Sequence, residues 1–276
     1  MLAMTGRSEP VPPAPAETDI FIQVRRGSRR LPDKALADLG GEPCLSQLVR
    51  RCSVAEETRH VVVCTSTQQE DGALVELAAS LGVQSFRGNL ENCLDRFLSC
   101  ANRFGSEVVV RVTGDSPLVD PGTIDQAVDY LRGRGLDYVR VAGLPVGAYV
   151  ETFTIDALER AATAAVQPSP SDDLSLFIGR PEINEVGEVL APTPLRRPDL
   201  VLALNRPLDL HVLQAVFDGV VPAGPFLALE EAIRFLDANP EVAAANRTYV
   251  PAPTRCNTTL DPERLAEAGK EGRESG

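Results

Sequence analysis

Residues 61–112 read VVVCTSTQQEDGALVELAASLGVQSFRGNLENCLDRFLSCANRFGSEVVVRV, and three short, largely apolar runs in this stretch alternate with two segments of helical periodicity. The apolar runs are Val61–Cys64, Val83–Phe86 and Glu107–Val112. Apolar residues recur at helical spacing between them, at Leu74, Leu77, Ala78 and Leu81 and again at Leu94, Phe97, Leu98 and Ala101. Strand and helix in alternation indicate βαβ units, and continuous apolar strands indicate a sheet covered on both faces. The stretch predicts an α/β fold with a mainly parallel sheet sandwiched by helices.

The alternation continues on both sides of this stretch. Asp19–Val24 predicts an earlier strand, and Tyr138–Val141 and Val150–Thr154 predict two later ones. Residues 167–198 contain six prolines and indicate an irregular insertion, after which Leu200–Leu204 predicts a strand followed by two helices. We therefore expect a single domain over residues 19–250. Residues 1–18, rich in Pro and Ala, predict a disordered N-terminal lead, and residues 251–276 predict a polar C-terminal tail.

The amino-acid composition excludes several classes of partner and site. The 276 residues carry a net charge of −12 and a sequence pI of about 4.7, which argues against nucleic-acid partners and against an anionic membrane surface. The sequence contains no apolar run of membrane-spanning length and no signal-type apolar core near its start, so we expect a cytoplasmic protein. Six cysteines without a CxxC pair indicate reduced, buried thiols, and two histidines exclude a His-rich metal site.

A strongly cationic loop follows the first predicted strand. Residues 24–34 read VRRGSRRLPDK, and the five cations are Arg25, Arg26, Arg29, Arg30 and Lys34. Lys34 is one of only two lysines, the other being Lys270 in the tail. Ligands of parallel α/β sheets bind at the carboxyl ends of strands, and Gly27 and Ser28 allow a tight turn with exposed N–H groups. The loop indicates a polyphosphate site, although a solvated basic loop is the alternative. It is neither a Walker A loop nor GxGxxG.

Four motifs, in order, resemble those of the cytidylyltransferases, especially the spore-coat polysaccharide type. IQVRRGSRRLPDK (22–34) is similar to QARxGSxRLPxK, and VCTST (63–67) is similar to ATST. FRGN (86–89) with LDRF (94–97) resembles FRGxxxDVLDRY, and VRVTGDSPLVDP (110–121) resembles VRITGDCPLIDP. The resemblance spans about residues 19–218, and CMP-sialic acid and CMP-Kdo synthetases are more distant relatives.

The resemblance implies a nucleotide-diphospho-sugar transferase fold, GT-A-like and Rossmann-like, and a Mg²⁺-dependent transfer of CMP from CTP to a sugar acid or another acidic small-molecule acceptor, with release of pyrophosphate. It places Arg25, Arg30 and Lys34 on the triphosphate and Asp115 on the metal. It assigns nucleotide binding to six further residues, which are Gly27, Ser28, Thr65, Ser66, Arg87 and Thr113. It also implies a homodimer, paired through the 167–198 excursion. From the residues alone, Asp115 fits a metal ligand and a turn former before Ser-Pro equally well.

The sequence departs from the family pattern in the acceptor half. Where relatives read TVDxPxDL this chain has Asn205 at the second metal-ligand position, and Asn keeps an oxygen but loses the charge. GxDVExF becomes GAYVETF, which keeps Glu151 and places Tyr149 at the acidic position; both are expected to bind the acceptor. DREHVTxYI loses its His and Arg near residues 171–178. These changes fit a different acceptor or a weakened catalyst. The alternatives are a nucleotide-binding pseudoenzyme and a glycosyltransferase of the same broad fold.

Overall fold

The structure, a computed structural model, describes residues 17–28, 30–164 and 174–247. The strands are β1 (Thr18–Gln23), β2 (Asp38–Leu39), β3 (Glu42–Pro43), β4 (His60–Ser66), β5 (Gln84–Gly88), β6 (Val108–Thr113), β7 (Tyr138–Ala142), β8 (Glu151–Thr154) and β9 (Val186–Leu190). The helices are α1 (Cys44–Cys52), α2 (Gly72–Ser80), α3 (Cys93–Phe104), α4 (Pro121–Arg134), α5 (Ile155–Ala164), α6 (Ser175–Ile178), α7 (Pro207–Gly219), α8 (Leu229–Ala238) and α9 (Pro240–Ala244).

Seven strands form one sheet in the order β5-β4-β1-β6-β8-β7-β9. The neighbouring strands β5, β4, β1 and β6 run parallel, as do β7 and β9, whereas β8 is antiparallel to both of its neighbours. The predicted mainly parallel α/β sheet is therefore confirmed. The remaining two strands, β2 and β3, form a small antiparallel pair.

Helices cover both faces of the sheet. Along β1, Ile20 and Ile22 face a core that includes residues of α1, α2, α4, α7 and α8, whereas Phe21 faces a second core built with α3, α5 and α6. This division follows from the pleat, since successive strand side chains point to opposite faces. Burial on both faces explains why the central strands carry continuous apolar runs. The five described cysteines are buried and free, as expected.

Two predictions in the second half of the chain were wrong. The described part of the supposed irregular insertion contains α6 and β9, and β9 forms one edge of the sheet. Its edge position explains the weak sequence signal, because only one face of an alternating edge strand is buried. Leu200–Leu204 is not a strand; it makes a single bridge, from Val201 to Val146. The short pair β2–β3 and helix α9 had no prediction.

The two predicted termini lie largely outside the described residues, because residues 1–16 and 248–276 are not among them. Within the part of the chain that is described, no helix combines the length and the apolar character that crossing a bilayer would require.

Candidate active site

A cleft of about 1070 Å³ opens at the carboxyl ends of β1 and β6. Its charged lining residues are six cations and three acids: Arg25, Arg30, Lys34, Arg96, Arg111 and Arg140, with Asp115, Glu151 and Glu188. The protein as a whole has a net charge of −12, so the cleft reverses the sign of its surroundings. This excess of cations favours an anionic ligand.

Lys34 lies at the centre of the cationic end of this cleft. Its Nζ donates to Asp115 Oδ2 at 2.7 Å and to Asn205 Oδ1 at 2.9 Å, and Arg30 Nη2 donates to the same amide oxygen at 3.3 Å. Lys34 begins a short 3₁₀ turn, directly after Asp33, which adopts a left-handed conformation with φ of 55°. The structure thus brings together four of the residues that the sequence singled out.

Burial and charge act in opposite directions on Asp115. Burial alone would raise the pKa of Asp115, but the Lys34 ammonium and hydrogen bonds from Lys34 and Thr113 hold that pKa below its usual value of 3.8. Asp115 is therefore a carboxylate at neutral pH, and the lysine is its counter-ion. The side chains of Lys34 and Asp115 are only 17% and 18% exposed.

Two glycines allow the loops to approach one another. A Cβ on Gly114 would lie 2.5 Å from Val24 Cγ2, so the glycine lets the turn after β6 contact the residue that follows β1. Gly147 has a φ of +93°, and a Cβ there would lie 2.3 Å from the backbone of Ala203. Leu204 N donates to Asp115 O at 2.8 Å, and this bond fixes the neighbouring Asn205 opposite Asp115.

The cationic loop divides into cleft-lining and anchoring residues. Arg25, Gly27, Ser28 and Arg30 line the cleft. Arg26 instead anchors the loop: its backbone N–H donates to Asp71 Oδ1 at 2.8 Å, its Nε to Asp33 Oδ1 at 2.7 Å and its Nη1 to Glu70 O at 3.1 Å. Arg29 lies outside the described residues.

The other proposed nucleotide residues occupy two places. Thr113 lines the cleft, whereas Thr65, Ser66 and Arg87 are not among its lining residues. Thr65 and Ser66 are fully buried at the end of β4, and the Ser66 hydroxyl donates to Asp71. Arg87 donates to the backbone oxygens of Ser66 at 3.2 Å and of Gln68 at 2.8 Å. In this conformation Ser66 and Arg87 therefore stabilise the segment that leads to Asp71, the residue that anchors the cationic loop at Arg26.

Tyr149 and Glu151, the two residues expected to bind the acceptor, both line the cleft. Tyr149 is 48% exposed, and partial burial raises its pKa above the ordinary value. Glu151 forms an ion pair with Arg111 and accepts a 2.6 Å hydrogen bond from the Tyr138 hydroxyl. Burial, followed by the nearby Glu151 charge, raises the pKa of Tyr138, which therefore remains a donor.

The structure shows limited capacity for a resident metal. The described residues contain no group of three or more His, Cys, Asp or Glu side chains able to hold an ion. Asp115 and Asn205 present two hard oxygens, which is the donor type that Mg²⁺ prefers, and Mg²⁺ sites commonly combine one or two protein oxygens with substrate phosphates. The donor set therefore fits a cation that binds together with a nucleotide.

Comparisons with known proteins identify the family of this chain. A cytidylyltransferase family model matches residues 20–169. The spore coat polysaccharide biosynthesis protein SpsF of Bacillus subtilis is 30% identical, over 81% of this chain and 95% of that protein. A 3-deoxy-manno-octulosonate cytidylyltransferase of Geobacter sulfurreducens is 35% identical, over 39% of this chain and 42% of that protein.

A solved structure supports the same fold. The structure of a cytidylyltransferase from Leptospira borgpetersenii superposes with a TM-score of 0.74 at 23% identity, covering 89% of this chain and 99% of that one. The family match extends over more than half of the 276 residues, and SpsF aligns over nearly its full length. The chain therefore belongs to the cytidylyltransferase family of CTP-dependent nucleotidyltransferases.

Proposed function

We propose that this chain transfers CMP from CTP to a sugar acid or another acidic small-molecule acceptor, with Mg²⁺ and with release of pyrophosphate. The observation that carries the proposal is the meeting of Lys34, Asp115 and Asn205 within 2.9 Å at the end of a cationic cleft. The sugar-acid acceptor is supported by the name of the Geobacter relative, and a role in polysaccharide biosynthesis by that of SpsF.

The cationic loop would bind the triphosphate. Arg25 and Arg30 offer planar, forked donors and Lys34 a compact charge, and these groups neutralise phosphate oxygens as pyrophosphate leaves. The backbone N–H groups of Gly27 and Ser28 would add uncharged donors at the same place. The Lys34 ammonium has three donors and uses two of them on Asp115 and Asn205, so one is available to a phosphate; if the ammonium turned fully toward the phosphates, both oxygens of the Asp115–Asn205 pair would be freed for a cation.

Asp115 and Asn205 would hold Mg²⁺ together with phosphate oxygens, and that charge would stabilise the negative charge that develops at the α-phosphate. Tyr149 and Glu151 would orient the acceptor. Because Glu151 already pairs with Arg111 and Tyr138, its side chain is fixed before the acceptor arrives. A fixed side chain lowers the entropic cost of positioning the attacking oxygen.

A specific observation favours a second candidate, a nucleotide-binding pseudoenzyme. Asn205 supplies an amide at the position where the family pattern TVDxPxDL has a carboxylate, and Lys34 contacts both Asp115 and Asn205 in this structure. A chain of this kind would bind CTP without releasing pyrophosphate.

The test is pyrophosphate release from CTP with Mg²⁺ and a panel of sugar acids, with UTP, ATP and GTP as nucleotide controls. Acceptor-dependent release from CTP supports the transferase. CTP binding by calorimetry, with no pyrophosphate release in the presence of any acceptor, supports the pseudoenzyme. Consumption of a nucleotide sugar in the same panel would point to the glycosyltransferase alternative.

We also propose a cytoplasmic homodimer. Five buried free cysteines in the described residues support a reducing compartment. Strand β9, at one edge of the sheet, exposes Val186 and Leu190, which supports pairing near the 167–198 excursion. Sedimentation at micromolar concentration should give twice the 29.6 kDa chain mass, and a monomeric mass would reject the dimer.

A further inference from the structure

Four charged side chains lie in one row across β6, β8, β7 and β9. The strand register pairs Arg111 with Glu151, Glu151 with Arg140 and Arg140 with Glu188. Direct partners in neighbouring strands share a face of the sheet, so positive and negative charges alternate along this row. All four residues line the cleft. We call the row Arg111–Glu151–Arg140–Glu188 the charge ladder.

The inner half of the charge ladder is fixed. The side chains of Arg111 and Glu151 are 9% and 15% exposed. Arg111 Nε also donates to Gln23 Oε1 at 2.7 Å, and Glu151 accepts from the Tyr138 hydroxyl. Separating this pair would leave a buried charge without its partner, so a ligand cannot readily displace either member.

The outer half of the ladder is open to exchange. The side chains of Arg140 and Glu188 are 64% and 45% exposed, and exposed ion pairs contribute little to stability. Arg140 Nε and Nη2 both contact the same Glu188 oxygen, Oε2, at 2.6 Å. Among the described residues, no hydrogen bond is made by Arg140 Nη1 or by Glu188 Oε1. The pair therefore offers a charged donor and a charged acceptor side by side.

The Arg140–Glu188 pair lies away from the end of the cleft that Arg25, Arg30 and Lys34 line, which we call the triphosphate end. In the sheet order, β7 lies two strands beyond β6 and on the opposite side of β6 from β1, whose loop carries Arg25, Arg30 and Lys34. Two inter-strand steps correspond to roughly 10 Å. Arg140 thus lines the same cleft but does not belong to the cationic loop of residues 24–34, so triphosphate binding by that loop does not explain its presence.

Resting on the proposed function, we propose that Arg140 and Glu188 determine acceptor specificity: Arg140 binds the acceptor's carboxylate, and Glu188 accepts a hydrogen bond from one of its hydroxyls. The ligand class is a polyhydroxylated carboxylic acid. The guanidinium fork matches a carboxylate, and an ionised carboxylate oxygen can only accept, as a hydroxyl partner requires. Only an ionised ligand can replace Glu188 on Arg140 with an equivalent charge-assisted contact, so a neutral sugar gains less from this pair than an acid does.

The test measures binding separately from turnover. Calorimetry on the full chain with CMP present uses three probes, 3-deoxy-manno-octulosonate, N-acetylneuraminate and D-glucuronate, each beside its methyl ester. The variants are Arg140→Gln and Glu188→Gln, with Arg103→Gln as the matched control, because Arg103 is exposed on α3 and does not line the cleft. CTP affinity and thermal stability are measured for every variant.

We expect at least one acid to bind the wild type. Arg140→Gln should weaken that acid about tenfold, the loss of one charge-assisted contact. Glu188→Gln should weaken the ester, whose hydroxyl loses a charged acceptor, and should change the acid less, because losing the charge that competes for Arg140 offsets the same loss; an ester that binds equally well to wild type and Glu188→Gln would overturn the role of Glu188. Arg103→Gln should change neither, and CTP affinity should be constant throughout. Equal affinity of the acid for wild type and Arg140→Gln, or failure of all three acids to bind, would overturn the proposal. If the acids bind as expected but no pyrophosphate forms, the ladder's role stands and the transferase proposal fails.

Discussion

Replacement of Lys34 by methionine tests the centre of the site most directly, since it removes the ammonium and keeps most of the side-chain volume. The Nζ–Oδ2 distance of 2.7 Å corresponds to about 6 kcal/mol of Coulomb energy at an effective dielectric constant of about 20, before desolvation is subtracted. Removing one partner of a buried pair costs about 3–5 kcal/mol. Because both side chains are nearly a fifth exposed, we expect the free energy of unfolding to fall by about 2–3 kcal/mol. The melting temperature should fall by roughly 4–12 °C.

The ligand-binding consequence is larger for CTP than for CMP. Lys34 is assigned to the phosphates that CMP lacks, and a hydrogen bond to a charged group contributes about 1.5–3 kcal/mol. Calorimetry with Lys34→Met should therefore show a CTP dissociation constant raised about 10- to 150-fold, with that of CMP nearly unchanged. The matched control is Arg50→Met, which removes a cation from the exposed Arg50–Glu42 pair outside the cleft and should affect neither nucleotide. Equal losses for CTP and CMP in Lys34→Met would refute the placement of the triphosphate beside Lys34.

Three further changes probe the site and its scaffold. Asp115→Asn leaves no carboxylate beside Asn205 and should abolish pyrophosphate release, whereas Asn205→Asp should tighten Mg²⁺ binding to the CTP-loaded protein in calorimetry; turnover that survives Asp115→Asn would remove the metal assignment. Gly147→Ala places a Cβ 2.3 Å from a neighbouring backbone at a φ of +93°, and denaturant unfolding should show a loss of about 2–4 kcal/mol. Asp19 is fully buried, and its pKa lies below the ordinary value of 3.8. Burial raises that pKa, but hydrogen bonds from Arg59 and Ser106 and the Arg59 charge together lower it by more. Its stabilisation is therefore complete above about pH 4 and is lost as the pH falls through the folded-state pKa, so the wild type's advantage of about 2–4 kcal/mol over Asp19→Asn should shrink only in acid.

The sequence predicted the centre of the sheet well because burial on both faces leaves a simple pattern. Val61–Cys64 and the run ending at Val112 are apolar for that reason, and both became strands of the parallel half. The same rule failed at Leu200–Leu204, which is apolar because it is buried in the core, yet makes only one bridge to the sheet. Burial produced the pattern there, and strand pairing was not needed for it.

The site was predictable as a set of residues and not as a geometry. The motifs indicated Lys34, Asp115 and Asn205 as site residues. Asp115 lies 81 positions and Asn205 171 positions from Lys34 in the sequence, and no local pattern encodes the contacts between them. The charge ladder was missed for a similar reason. Arg140 lies between the buried Val139 and Val141 in a strand that the sequence predicted, but its position opposite Glu188 depends on the strand order.

The two ends of the cleft differ in how their charges are balanced. At the triphosphate end Arg25, Arg30 and Lys34 share one lining carboxylate, Asp115, so cations are in excess and a polyanion gains strongly on binding. Along the charge ladder each arginine faces a glutamate, so a ligand gains only by displacing an existing partner. Displacement is inexpensive at the exposed outer pair and costly at the buried inner one. Under the proposed function, this difference in charge balance would let the cleft discriminate its two substrates: a highly charged nucleotide at one end and, at the other, a small acid whose single carboxylate can replace Glu188 on Arg140.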